Sequence, residues 1–224
     1  SLSIGSADPL NRDYLRKLKA LADAVNARWV SDHLCWTGIA GVNTHDLLPV
    51  PRTRAALARI AANVDRVQER LGRTIAIENP SHYLRISEHE IDEVAFLVEL
   101  CRRSGCRLLV DVNNVFVSAN NLGFDAGAWL DAVPGALVEE IHLAGHSRDP
   151  VHGAALLVDS HDAPVDDAVW ALYRRLVARI GPRPTLIERD GNLPAFAELL
   201  DERTRAQAIL EAALRSAIAR PEVA

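Results

Sequence analysis

Histidines and acids that could bind a metal are concentrated between Glu140 and Asp162. A short apolar run reaches His142, a second histidine follows four residues later, and an Asp-x-His sequence lies beyond it. Imidazole nitrogens and carboxylate oxygens bind zinc, iron and manganese, and such groups do not suit an apolar core. Alternatively, these histidines are ordinary loop residues satisfied by hydrogen bonds. The number of such groups in one segment favours the metal interpretation.

Five short apolar runs each end on a side chain that could serve the same site. Runs of this kind, alternating with helical patterns, predict parallel strands buried on both faces. In a parallel barrel the active site is built at the carboxyl ends of several strands, whereas a doubly wound sheet uses one crevice. No glycine-rich phosphate loop follows any strand. We therefore predict an α/β fold, a TIM-type (β/α)8 barrel, as a single domain over residues 1–224. The five strand ends are His33, Glu78, Asp111, His142 and Glu188.

Apolar periodicity and turn residues place the elements around these strand ends. Strands are predicted at 29–33, 74–78, 107–111, 138–142 and 184–188. Helices are predicted at 10–25, 53–71, 88–104, 125–133, 166–180 and 194–219. The glycine- and proline-containing segment 34–51 is predicted to be a loop, as are the residues around Asn120 and those around Arg148.

Composition excludes several classes of protein. The chain has 224 residues, of which 49% are hydrophobic and 25% charged, which is ordinary for a globular domain. A net charge of -5 without a basic stripe argues against a nucleic-acid partner. We find no long apolar run, signal peptide or lipidation motif, so we predict a cytoplasmic protein without a membrane partner. The three cysteines, Cys35, Cys101 and Cys106, form no C-x-x-C pair, which fits a reducing compartment.

Nine side chains are candidate metal ligands, all with oxygen or nitrogen donors. A mixture of histidine and carboxylate without thiolate resembles non-haem iron sites more than structural zinc sites. The set exceeds the needs of one ion, and carboxylates can bridge two ions, so we predict a cluster of two or three metals. The candidates are His33, Glu78, Asp111, Asn114, His142, His146, Asp159, His161 and Glu188.

Several candidates have structural alternatives. Glu78 could cap a turn or pair with Arg189, although an acid that ends a buried strand needs a cation or hydrogen-bond donors. Asp111 could form an Asx-turn with the residues that follow it. Asn113 and Asn114 are not separated by sequence alone, although the spacing from Asp111 favours Asn114. Four other histidines lack a strand-end position and are predicted to be loop, helix-surface or supporting residues: His45, His82, His89 and His152.

Seven motifs, in order along essentially the whole chain, resemble one known family. It is the multinuclear non-haem iron-dependent oxidases, which include the methanobactin-biosynthesis oxidase. The motifs are Ser31-Asp32-His33-Leu34 with Trp36, Asp46-Leu47-Leu48-Pro49, Glu78-Asn79-Pro80-Ser81, Asp111-Val112-Asn113-Asn114-Val115, Glu140-Ile141-His142-Leu143-Ala144-Gly145-His146, Asp159-Ser160-His161 and Glu188-Arg189-Asp190.

The resemblance implies a TIM-type barrel that holds two or three irons. It also implies O2-dependent oxidation of cysteine residues in a ribosomally made precursor peptide, often with a small partner protein that helps to recognise the leader. His33, Glu78, His142 and Glu188 would hold the core iron pair. Asp111, Asn114, His146, Asp159 and His161 would complete that pair and a third site, and Arg189 and Asp190 would orient ligands.

The resemblance also raises an expectation about the start of the chain. Family members have further residues before the position of Ser1, so the first two to three barrel strands are expected to be absent here. Two other functions use similar strand-end groups. One is a divalent-metal-dependent TIM-barrel isomerase or phosphodiesterase, and the other is a metal-binding protein without catalysis.

Overall fold

A computed structural model describes residues 1–219 of the chain. Helices and strands alternate through most of this range, as the sequence predicts. In chain order the elements are α1 (Arg12–Ala24), β1 (Val30–His33), β2 (Cys35–Ile39), β3 (Val42–Pro49), α2 (Arg54–Leu71), β4 (Ile75–Glu78), α3 (Glu93–Ser104), β5 (Arg107–Asp111), α4 (Val112–Leu122), α5 (Ala126–Ala132), a 3-10 turn (Gly135–Leu137), β6 (Val138–Ala144), β7 (Ser147–Asp149), β8 (Gly153–Val158), α6 (Asp167–Ile180), β9 (Thr185–Glu188) and α7 (Phe196–Ala219).

The five predicted strands form one sheet with the order β1-β4-β5-β6-β9. The pairs β1–β4, β4–β5 and β6–β9 are parallel. All four residues of β4 and the last four of β5 are buried. This burial explains why both strands read as continuous apolar runs instead of alternating patterns.

The chain divides into two compact units. The first comprises residues 1–80 and 85–109, and the second comprises residues 81–84 together with everything from 110 onward. In the first unit, Leu57, Ile60 and Phe96 are among the fully buried side chains. In the second unit, Trp170 and Tyr173 of α6 are fully buried and meet edge to face. The prediction of a single domain stays a prediction.

Helix α2 follows the sequence prediction closely. The Thr53 hydroxyl accepts a hydrogen bond from the Ala56 N–H and so caps the first turn. Gly72, with a φ of 68°, ends the helix in the left-handed conformation that favours glycine. The apolar face that includes Val64 and Val67 is buried as predicted.

The predicted start of α3 at residue 88 is wrong. The helix begins at Glu93, after Asp92, whose side chain accepts from the Val94 N–H. The preceding residues are bound elsewhere, because the N–H groups of Glu90 and Ile91 both donate to the Arg52 carbonyl. The Asp92 side chain therefore caps the first turn at this later position.

The loops predicted at 34–51 and around Arg148 are also wrong, because each contains an antiparallel hairpin. β2 and β3 pair across a two-residue turn at Ala40 and Gly41, whose φ values of 52° and 79° suit a tight hairpin. β7 and β8 form the second pair. Most of β3 is exposed, so it has no apolar alternation to detect. The predicted loop around Asn120 is the last part of α4.

Gly145 lies where two backbone segments of the second unit approach each other closely. A Cβ atom at this position would overlap the Ala163 carbonyl oxygen. The Gly145 carbonyl also accepts a 3.1 Å hydrogen bond from the N–H of His161. The absence of a side chain therefore lets the end of β6 lie against the segment that carries His161.

We expect Gly145→Ala to lower the free energy of unfolding by about 1–3 kcal/mol, because a backbone clash in a packed region forces the chain to move. Urea denaturation of the purified protein measures this change. The control is Gly127→Ala in α5, where the three atoms nearest to the new Cβ belong to the side chains of Arg175 and Asp125. Equal destabilisation by both substitutions would contradict the assigned role of Gly145.

Candidate metal centre

The parallel strands place the predicted side chains at their carboxyl ends. His33, Glu78, Asp111 and Glu188 are the last residues of β1, β4, β5 and β9. The predicted end of β6 at His142 is wrong, since that strand continues for two residues to Ala144. The extension pairs Ala144 with Glu188, so His142 pairs with Leu186, two residues before the end of the neighbouring strand.

In the first unit, two predicted ligands lie side by side. His33 and Glu78 occupy matching positions on the paired strands β1 and β4. The Nε2 atom of His33 lies 3.3 Å from Oε2 of Glu78, and the Glu78 carboxylate is buried. The neighbouring acid, Asp32, has a structural role, because its carboxylate accepts hydrogen bonds from Leu2 N–H and the Ser1 hydroxyl at 2.7 Å each.

In the second unit, carboxylates and imidazoles converge around Glu188. Donor atoms of Asp111, His161 and Glu188 all lie within 4.8 Å of one another, and so do donor atoms of Asp111 and His142. The two oxygens of Glu188 face different histidines: Oε1 is 3.4 Å from Nδ1 of His142, and Oε2 is 3.5 Å from Nδ1 of His161. Each oxygen of the Glu188 carboxylate therefore lies beside a different imidazole.

His161 is held in place through its backbone. Its φ of 51° lies in the left-handed region, which is uncommon for a residue with a side chain. Its N–H donates to Gly145, and its carbonyl accepts from the N–H groups of Asp190 and Gly191 at 2.8 and 3.2 Å. These bonds fix the backbone from which the imidazole projects.

A second group of polar side chains begins at His161. The Nε2 atom of His161 lies 2.9 Å from Oδ1 of Asp159. Asn113 donates from Nδ2 to the same Asp159 oxygen at 2.7 Å, and its Oδ1 lies 2.9 Å from Nδ1 of His146. The imidazole ring of His146 also packs against the Phe116 ring, with 5.1 Å between the two ring centroids. Asn113 therefore connects two of the predicted ligands.

Asp111 combines the two roles that the sequence leaves open. Its Oδ1 accepts a 2.7 Å hydrogen bond from the Asn114 N–H and caps α4, which is the predicted Asx arrangement. The same carboxylate belongs to the cluster with His161 and Glu188. The side chain of Asn114 is also buried. Its role as a metal ligand stays a prediction.

Several supporting residues are now placed. Arg189 pairs with Glu202 at 3.1 Å, and Asp190 Oδ2 lies 3.4 Å from Nδ1 of His161. The four histidines without strand-end positions differ in burial: His82 is buried, while His45 and His152 are exposed. The Nδ1 atom of His89 accepts a hydrogen bond from the Arg52 N–H.

Sequence reasoning missed the hydrogen bonds by which Asn113 connects Asp159 and His146, and it missed that Glu140 lies beside His142. The Glu140 carboxylate lies 3.7 Å from Nε2 of His142. The alternation of β6 carried a signal for it, because residues two apart on a strand share a face. No comparable signal existed for Asn113, whose function depends on where β8 ends.

Burial and mutual charge shift the pKa values of this cluster. Burial, with the nearby Asp159 charge, raises the pKa of Asp111 from 3.8 to about 7. Burial alone would lower the pKa of His161, but its contact with Asp159 and the charges of Asp111 and Glu188 outweigh that effect and raise the pKa to about 9. Burial lowers the pKa of His146. Without a cation, the cluster therefore retains protons near neutral pH.

The donor set fits an iron, manganese or zinc ion. The second unit contains no cysteine, so its donors are oxygen and nitrogen atoms alone. The fully buried Asp111 carboxylate and the partly buried Glu188 carboxylate need positive charge nearby to offset their desolvation. The protons on Asp111 and His161 supply that charge in the free protein, and a metal ion supplies it equally well.

A family model described as the RiPP precursor modification enzyme MbnB/TglH/ChrH matches residues 1–211. RiPP denotes a ribosomally synthesised and post-translationally modified peptide. The chain belongs to the MbnB/TglH/ChrH family. Membership confirms the resemblance seen in the motifs, and it makes the chain an enzyme that modifies a precursor peptide.

Curated relatives of this MbnB/TglH/ChrH member have a high sequence identity. A UPF0276 protein from Caulobacter sp. (strain K31) is 58% identical over 198 residues, which cover 88% of this chain and 71% of that protein. A UPF0276 protein from Rhizorhabdus wittichii is 51% identical over 217 residues, which cover 97% of this chain and 76% of that protein. Their names carry no statement of a metal or reaction.

Solved structures confirm the predicted fold class of the MbnB/TglH/ChrH member. A xylose isomerase domain containing protein from Salmonella typhimurium has a TM-score of 0.60 at 14% identity, covering 92% of this chain and 72% of that one. An L-ribulose 3-epimerase has a TM-score of 0.56 at 17% identity, with 100% and 76% covered. The IOLI protein with a bound zinc atom has a TM-score of 0.55 at 11% identity, with 88% and 68% covered. These likenesses show a TIM-barrel fold of the xylose isomerase type and nothing about the reaction.

Residues 1–219 include no helix that is both long and apolar enough to cross a membrane.

The metal-free protein should become less stable as the pH rises from about 6.5 to 9. The raised pKa of His161 means that its stabilising contribution is complete below its ordinary pKa of 6.5 and is lost as the pH passes about 9. Asp111, whose pKa is also raised, destabilises the fold as the pH rises from 3.8 through about 7. Thermal unfolding with a chelator present, at several pH values, measures the trend.

The His161→Gln variant should show a smaller fall in Tm over the same pH range, because it lacks the titrating imidazole. His152→Gln, at an exposed position, is the matched control and should keep the wild-type trend. A wild-type Tm that is constant or rises between pH 6.5 and 9 would contradict the assigned environment of His161.

Proposed function

We propose that the chain is a multinuclear non-haem iron-dependent oxidase that uses O2 to modify cysteine residues of its precursor peptide. The observation that carries this proposal is the set of donor atoms from Asp111, His161 and Glu188 within 4.8 Å of one another. In an enzyme that modifies precursor peptides, an oxygen-and-nitrogen cluster without thiolate suits a redox metal with room for a substrate sulfur atom.

The proposed ligands follow the geometry of the second unit. Asp111, His142, His161 and Glu188 would hold iron, with Glu188 bridging two ions through its two oxygens. The sequence resemblance adds Asn114, His146 and Asp159 as further ligands, and it assigns His33 and Glu78 to the same role. It also supports a count of two or three irons and a small partner protein that helps to recognise the leader.

Iron bound here would supply O2 activation and a coordination position for the substrate thiolate. The protein's own groups would prepare that chemistry. Burial of Asp111 and His142 excludes water from the donor atoms, which strengthens their electrostatic interactions. The backbone bonds of His161 and the Asn113 amide hold the imidazoles in position before any ion or peptide arrives.

Iron content tests the ligand assignment directly. Glu188→Gln keeps the size of the side chain but removes its charge, so the affinity for iron should fall by at least about 10-fold. Elemental analysis after anaerobic reconstitution and desalting measures the loss. Glu198→Gln, on the exposed first turn of α7, is the matched control and should bind as much iron as the wild type. Equal iron in all three proteins would refute the assignment.

Consumption of O2 tests the reaction class. With its precursor peptide present, the iron-loaded enzyme should consume O2 and change the mass of the peptide at a cysteine residue. A metal chelator or an anaerobic atmosphere should stop both changes. An isomerase or phosphodiesterase would act without O2, so anaerobic turnover, or mass changes in a peptide whose cysteines are replaced by serine, would exclude the proposed oxidase.

A further inference from the structure

Four residues of the loop after β4 pack with the second unit, although the residues on both sides belong to the first. This segment, Ser81–Leu84, is held through its backbone. The His82 N–H donates to the buried Ser118 hydroxyl at 2.9 Å, and the His82 carbonyl accepts from the Asn121 amide at 3.3 Å. Both partners lie on α4, so the segment has a fixed position on that helix.

The Asn121 side chain also fixes the neighbouring strand β8. Its Oδ1 accepts from the Leu157 N–H at 2.8 Å, and its Nδ2 donates to the Leu157 carbonyl at 2.9 Å. One amide therefore holds both the Ser81–Leu84 segment and the strand that leads into Asp159. The two chain segments beside the metal cluster are positioned together.

Two apolar side chains on this fixed segment remain exposed. Tyr83 is 45% exposed and Leu84 is 55% exposed. A large aromatic side chain with a polar end, held rigidly at a surface, is typical of a residue that binds a partner, because little side-chain entropy is lost on contact. Neither side chain contributes to a core that would explain its type.

The Tyr83 hydroxyl reaches the candidate metal centre. It accepts a 3.0 Å hydrogen bond from the Asp159 N–H and a 3.3 Å bond from the Ser81 hydroxyl. A phenolic oxygen has two lone pairs and one hydrogen, so these bonds occupy its acceptor capacity and leave its hydrogen to donate. Asp159 itself contacts His161. The hydroxyl therefore offers a hydrogen-bond donor within one residue of the cluster.

We propose that Tyr83 and Leu84 form the contact that holds the precursor peptide beside the metal cluster. The Tyr83 hydroxyl donates to a backbone carbonyl oxygen of the peptide, and Leu84 packs against an apolar peptide side chain. This inference rests on the peptide-modifying activity of the family and on the proposed position of the reaction. A peptide fits better than a small polar metabolite, since the contact combines one hydrogen-bond donor with two exposed apolar surfaces.

Binding of the peptide encoded beside this chain's own gene tests the inference. The probe is that peptide, synthesised with a fluorescein label, and fluorescence anisotropy with the iron-loaded protein under anaerobic conditions gives the Kd. Tyr83→Phe should raise the Kd about 3- to 10-fold, the effect of one lost hydrogen bond. Leu84→Ala should raise it about 5-fold through lost apolar contact.

Two control variants match the chemistry and the exposure. Tyr14→Phe changes a 39% exposed tyrosine on α1, and Leu200→Ala changes a 46% exposed leucine on α7. Both should bind the peptide with the wild-type Kd. In turnover, Tyr83→Phe should raise KM by a larger factor than it lowers kcat, because the hydroxyl binds the peptide and does not touch the reacting atoms.

Iron content separates the outcomes. A raised Kd with wild-type iron in Tyr83→Phe and Leu84→Ala supports the peptide contact. An unchanged Kd in both variants, or no measurable binding by the wild type, overturns it. Reduced iron in Tyr83→Phe with an unchanged Kd also overturns it and assigns Tyr83 to positioning Asp159. Peptide binding by a wild type that holds no iron would refute the oxidase proposal while leaving the contact supported.

Discussion

Buried acid groups in contact with imidazoles are the constraint on which the second unit depends. The Glu188 carboxylate faces His142 with one oxygen and His161 with the other, and the fully buried Asp111 completes the group. A fully buried carboxylate such as Asp111 costs several kcal/mol without compensating charge, so it is stable only together with a proton or a cation. The raised pKa values of Asp111 and His161 show how the free protein meets this requirement.

Backbone hydrogen bonds and close contacts determine where those side chains can lie. His161 adopts a left-handed conformation that three backbone bonds maintain, and Gly145 lets the end of β6 approach the same segment. Farther from the cluster, the Asn121 side-chain amide hydrogen-bonds both the N–H and the carbonyl of Leu157, as the backbone of a neighbouring strand would. Loops built in this way keep donor atoms close without a bound ion, which reduces the conformational entropy lost on binding.

The sequence predicts those features that depend on burial. The strands that end at Glu78 and Asp111 were predictable because parallel strands bury both faces, and α2 because its apolar stripe has a cap at each end. The hairpin of β2 and β3 was not predictable, since its exposed residues have no apolar alternation. The family motifs indicated a peptide-modifying enzyme, which no periodicity could indicate.

Contacts between segments distant in sequence explain the remaining differences. Asn113 and Asn114 are neighbours with the same side chain, and the positions where β6 and β8 end decide that Asn113 contacts His146 and Asp159. The contact of Tyr83 was equally unpredictable, because its hydroxyl accepts a hydrogen bond from Asp159, a residue 76 positions away in the sequence. A xylose isomerase domain containing protein and an L-ribulose 3-epimerase share this fold at 14% and 17% identity, so the fold alone does not select a reaction. The selection depends on which side chains the loops bring to the strand ends, and here that set is an oxygen-and-nitrogen cluster with an exposed tyrosine beside it.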